Sequence, residues 1–283
     1  MRNTFLNMFP RLILFAAISA AVSTPLQLIN SIVIEGMKGP PDFVSVPFLI
    51  YALCAKIVFG AGYVLFGYKI PVKSTILRAF TYMLLILLSS YLPNVLGMAG
   101  GDGAIIGSAF SVGIVIVDTI SYMLDGLILG VLMRRYEVES PTSVHNIIIA
   151  RFIPVCLIIG ILFALLNIIF DLLAGAADSS LRLANMLMVT PERQTVFYAV
   201  FIVCMFIAGL FQPLWYRLCL PEENTSREAL TFAVKLGAIV WLPCVLIMVF
   251  FGTPAIGTLF YGLAYLIMFA VCGPVYKKLS SKA

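Results

Sequence analysis

Charge is what this 283-residue chain has least of. Only 11% of its residues are Asp, Glu, Lys or Arg, against 62% hydrophobic ones, and its mean hydropathy is +1.08. A soluble domain carries roughly a quarter charged residues. With so few, the chain cannot clothe its surface for water, and an ordinary soluble globule is excluded. Histidine is almost missing: the single one, His145, lies in a polar connector. With no C-x-x-C and no second imidazole, zinc and haem sites lack ligands. The six cysteines (54, 156, 204, 219, 244 and 272) all fall inside apolar runs, where a thiol serves as a small hydrophobe and not as half of a disulfide framework. No G-x-S-x-G, P-loop or H-E-x-x-H occurs, so serine hydrolysis, ATP hydrolysis and zinc proteolysis have no residues to act with. Neither enzymatic activity nor a cofactor is expected.

What is present is long apolar runs. About 20 apolar residues cross ~30 Å of hydrocarbon as a helix. Eight such runs are found, near 12–34, 44–68, 79–99, 104–133, 147–173, 195–219, 229–251 and 254–276. They are continuously apolar, without period-2 alternation, which predicts helices and not barrel strands. The basic start "MRNTFLNMFPR" resembles a signal n-region, but the apolar run continues through "LQLINSIVI", long enough for a retained helix. The expected fold is all-α, a polytopic membrane protein.

The basic residues are distributed unevenly. Put both termini and the loops after runs 2, 4 and 6 on one side, and that side holds thirteen Lys and Arg against three. The positive-inside rule then places both termini in the cytoplasm and the protein in the cytoplasmic membrane. The net charge of +5 reflects that topology and contact with lipid head groups; no basic stripe interleaved with aromatics points to nucleic acid. Two cations remain inside the runs themselves, Lys56 and Lys235.

Set against itself at an offset of 150, residues 54–98 align with 204–248 without a gap and with eleven identities. Pro71 meets Pro221, "TILRAFT" meets "TSREALT", and "LPNVLGM" meets "LPCVLIM". Two halves of four helices are expected, 1–140 and 141–283, joined by "RRYEVESPTSVHN". An even number of spans inserts both halves in the same orientation, giving parallel repeats. Pro93 and Pro243 should kink the third and seventh runs at matching places.

The candidate site is the stretch "VDTISYMLDG" in the fourth run. Asp118 and Asp125 are seven apart, within about 20° of one helix face and ~10.5 Å apart along the axis. Tyr122 lies between them, with Ser121 beside it and Ser111 one heptad earlier. An acid at mid-membrane costs roughly 2.5–3.5 kcal/mol on insertion scales, so this face must turn away from lipid. Lys56 and Lys235 are the available counter-ions. The residues expected to bind substrate or ion are therefore Asp118, Tyr122, Asp125, Lys56, Ser121 and Lys235. Acids this far apart on one helix cannot share a proton as an aspartyl protease requires, and Asp102 in "GMAGGDGA" lies in a loop. Gln27, Asn30, Asn94, Asn167 and Asp171, toward the ends of their runs, would line a vestibule. Gly126 and Gly130 should admit a close neighbour helix, and "SSLRLANMLMV" should form a short helix capping a cavity or simply connect two spans.

The expected function is a membrane transporter or permease for a small molecule or ion, proton- or cation-coupled through the aspartates. The alternative is a non-catalytic subunit that anchors a larger complex through a partner subunit.

Overall fold

The computed structural model describes residues 2–29, 46–99, 112–134, 149–220, 224–251 and 253–281. These residues are helical almost throughout, without a strand, and hold eight helical segments long and apolar enough to cross a membrane. Outward faces are apolar at helical spacing: Ile153, Leu157, Ile161, Leu165 and Ile169 of one span, and Leu259, Leu263 and Ile267 of another, are exposed. Such a surface requires a hydrocarbon solvent.

The first span, α1 (Arg2–Ile29), begins well before the expected 12 and runs through Pro10 and Pro25. The second is α2 (Val46–Leu65). The third is broken into α3 (Thr75–Ile86), a π-helical turn (Leu87–Tyr91) and α4 (Leu92–Ala99). Then come α5 (Val112–Met133), α6 (Ile149–Ala177), the short α7 (Leu183–Met186) and α8 (Gln194–Cys219). The seventh span repeats the break: α9 (Ser226–Leu236), a π turn (Gly237–Trp241) and α10 (Leu242–Leu246). The last span is α11 (Ala255–Ser280). In both broken spans the π turn leads directly into a Leu-Pro. Proline has no N–H for the ladder and its ring crowds the preceding turn. One extra residue in that turn relieves the crowding at Pro93 and Pro243, the two positions where kinks are expected. Both spans also open on a hydroxyl cap. Ser74 accepts from the Leu77 amide at 3.4 Å, and Thr225 forms a capping box with Glu228.

Contacts divide the chain into two compact units, Met1–Leu87 with Ser111–Val144, and Leu88–Phe110 with His145–Ala283. The division runs through the π turn of the third span, so α4 packs within the second unit.

In the first unit, α1 lies against α2 and α5, and α3 against α5. Gly130 makes the last contact close: a Cβ there would stand 2.5 Å from Ile76 Cα, and one at Gly126 would stand 2.7 Å from Phe80 Cα. The expected close crossing at these two glycines is present. The buried Arg78 donates twice to the Val72 carbonyl, at 2.9 and 2.8 Å, tying down the turn before α3.

The second unit is built on antiparallel contacts of α6 with α8 and of α9 with α11. At the first of these, a Cβ on Gly209 would be 2.8 Å from Gly160 Cα. Its core is aromatic: Trp241 has Tyr265, Phe163 and Phe269 at centroid distances of 5.1, 5.6 and 6.0 Å. Trp215 donates to Ser89 Oγ at 2.9 Å, and Ser90 Oγ donates to the Val240 carbonyl at 3.0 Å.

Candidate functional site

The acidic face of α5 turns inward. Asp118, Ser121, Tyr122 and Asp125 are all buried within the first unit. Three polar ties run along the pairing of α1 with α5. Arg11 Nη1 donates to the Leu132 carbonyl at 2.9 Å, Ser19 Oγ donates to Asp125 Oδ1, and Gln27 Nε2 donates to Asp118 Oδ1. Positions 11, 19 and 27 on one helix meet 132, 125 and 118 on the other, so the two run antiparallel. Steps of eight residues face steps of seven, each close to two helical turns.

Lys56 of α2 completes the arrangement. Its ammonium forms an ion pair with Asp125 Oδ2 and sits 5.2 Å from the centroid of the Tyr122 ring. That ring in turn lies 6.2 Å from Phe59. Asp125 is thus held from both sides, by a cation on one oxygen and a hydroxyl on the other. Asp118 receives a neutral amide. Within the membrane spans described for this unit, two carboxylates share one lysine.

Five of the six residues expected at the site, Asp118, Ser121, Tyr122, Asp125 and Lys56, come together. Ser121 gives its proton to the Val117 carbonyl of its own helix at 2.9 Å, and so contributes less than its position promised. Lys235, the sixth, belongs to the second unit, where it stands exposed on α9. An exposed lysine about two and a half turns into its helix can reach toward the membrane edge by snorkelling and needs no buried partner. Ser111, Asp102, Asn30 and His145 lie outside the described residues. Ser19 had not stood out in the sequence: a lone serine in "AAISAAVS" looks like a small packing residue, and only the pairing of α1 with α5 gives it an acid to bind.

The second unit has its own buried acid. Asp171, near the end of α6, accepts through Oδ1 from the Leu183 amide and from Tyr261 Oη, each at 2.8 Å. Arg182 approaches Oδ2 at 3.4 Å while lying 5.5 Å from the centroid of the Tyr198 ring. These bonds fold the connector after α6 back onto the helices. It contains the expected short helix, α7, whose Leu183, Ala184 and Met186 are buried. Just before it, Asp178 accepts from the Ser180 amide at 2.8 Å, which holds its exposed carboxyl below the ordinary value. Leu183 also lines a small cavity with Asn94, Phe201, Val245, Met248, Tyr261 and Tyr265. Asn167, by contrast, donates to the Phe163 carbonyl of its own helix.

Fold and site together define a polytopic helical membrane protein with a polar, acid-bearing seam inside its first unit. Among the described residues no three His, Cys, Asp or Glu side chains gather where they could hold a metal ion. No protein family, curated protein or solved structure matches the chain.

Proposed function

We propose that the chain is a permease for a small solute, coupled to a proton or small cation that is taken up at Asp118. One observation carries this reading: among the described membrane-span residues of the first unit, two buried carboxylates, Asp118 and Asp125, lie near one ammonium, that of Lys56, and that ammonium is engaged by Asp125. A second uncompensated carboxylate in a membrane interior is costly. The cost disappears when Asp118 takes a proton or a monovalent cation, and a group with that property is what coupled transport needs. Gln27 serves either state, since its amide nitrogen donates to a carboxylate and to the carbonyl of a protonated acid alike.

The proposed architecture is two parallel four-helix repeats, with both termini on the cytoplasmic side of the cell membrane. In its support, the two π turns begin at 87 and 237, the same 150-residue offset as the sequence alignment. Moreover, Ser90 bonds the backbone of Val240, its own counterpart at that offset. A residue touching its counterpart is the contact a two-fold axis produces.

The test is proton flux into proteoliposomes containing the purified protein, followed with an entrapped pH dye under imposed proton, sodium and potassium gradients. Asp118→Asn should reduce flux at least tenfold while leaving thermal stability unchanged. Undiminished flux in that variant, or loss of folding along with flux, overturns the proposal.

The second reading, an anchoring subunit, draws on Asp125, whose oxygens are both engaged by protein groups as a structural ion pair would be. Co-purification of a stoichiometric partner, with Asp118→Asn tolerated, selects it.

A further inference from the structure

The cavity of the second unit is lined by neutral residues, and one of them is unsatisfied. Asn94 of α4 is only 5% exposed, and its Nδ2 has no hydrogen-bond partner among the described residues. An amide N–H buried without an acceptor costs roughly 1–3 kcal/mol. Tyr265 has a related deficit: its hydroxyl donates to Met205 Sδ at 3.7 Å, a weak acceptor, which leaves its oxygen lone pairs available. Tyr261 donates to Asp171, so its oxygen also can accept. Donor and acceptors line one cavity.

Size selects the occupant. Room for the centre of a water molecule amounts to about 10 Å³, close to what one water requires. Charge selects further. The lining holds no ionised side chain, and the adjacent carboxylate of Asp171 already accepts from Leu183 and Tyr261 with Arg182 beside it. A cation would find no free counter-charge here, and an anion would sit against that carboxylate.

We propose that this cavity is a binding site for a single uncharged, water-sized molecule, water itself in the resting protein, which accepts from Asn94 Nδ2 and donates to the tyrosine hydroxyls. The occupant then joins Asn94 to Tyr261, Asp171 and the Leu183 amide in one hydrogen-bonded chain, tying α4, α11, α6 and α7 together. Unlike the acid-bearing seam of the first unit, this site is built for a neutral ligand. The proposal stands apart from the permease reading and survives its failure, since it uses neither Asp118 nor flux.

The test is a double-mutant cycle on thermal unfolding of the purified full-length protein, with Asn94→Leu, Tyr265→Phe and the pair. Each single variant should lower the apparent Tm, and the double variant should lose clearly less than the sum, because both side chains bond the same molecule. A raised Tm in Asn94→Leu means the amide was facing an empty, dry cavity and overturns the proposal, as do strictly additive losses. Should Asn94→Leu fail to fold, Tyr265→Phe decides alone: it removes one oxygen and no packing, and an unchanged Tm refutes the bridge.

Discussion

The ion pair between Lys56 and Asp125 yields a prediction in which the sign of a second mutation is decisive. Lys56→Met keeps the length and apolar stem of the side chain and removes its charge. Among the described residues, the carboxylate of Asp125, 1% exposed, then keeps only the hydroxyl of Ser19. Breaking a buried pair from one side costs about 3–5 kcal/mol, because an uncompensated charge stays behind. At ~2–4 °C per kcal/mol, the apparent Tm should fall by about 6–20 °C. Removing both charges behaves differently, since a buried pair replaced by neutral groups is often as stable as the original. In the double variant Lys56→Met with Asp125→Asn, the amide oxygen still accepts from Ser19 and no charge remains. Its Tm should return to within about 4 °C of the native value, a residual of about 1 kcal/mol. The assay is thermal unfolding of detergent-purified protein followed by light scattering and intrinsic fluorescence. A Lys56→Met variant as stable as the native protein would show that the pair carries nothing. A double variant no better than the single would show that the loss came from packing, and the electrostatic argument would fail.

Two further outcomes follow from the packing. Gly130→Ala puts a methyl group 2.5 Å from the Cα of Ile76, where only backbone can yield, whereas Gly60→Ala meets the ends of the Leu12 and Phe15 side chains. The first should cost about 1–3 kcal/mol and the second less; the reverse order in thermal melts would contradict the crossing of α3 and α5. Asp171→Ala removes the acceptor of the Leu183 amide and the partner of Arg182. With charged hydrogen bonds worth ~1.5–3 kcal/mol, the connector should open about ten- to a hundredfold more often. Limited trypsin cleavage at Arg182 and Arg193 should accelerate accordingly, and an unchanged rate would mean that Asp171 does not hold the segment.

Much of this architecture is written in local chemistry, and local chemistry is legible in a sequence. Eight long apolar runs dictate eight helical spans, because the backbone has no other way to satisfy itself in hydrocarbon. The π turns that lead into Pro93 and Pro243 follow from a missing N–H, and the close crossing at Gly126 and Gly130 from missing side chains. The inward aim of Asp118, Tyr122 and Asp125 follows from the same rule that makes helices: lipid tolerates no bare charge.

Partnership is another matter. Lys56 and Lys235 look alike in the sequence, each a lone cation in an apolar run, yet one is bound to Asp125 and the other lies exposed. Ser19 gives no sign of its role until α1 is laid against α5. The cluster of Asp171, Tyr261 and the Leu183 amide brings together residues up to 90 positions apart. Hydropathy and periodicity act along one helix and fix what each face must avoid. Which polar group meets which is a property of pairs of helices, set by their crossing and register, and only the packed molecule decides it.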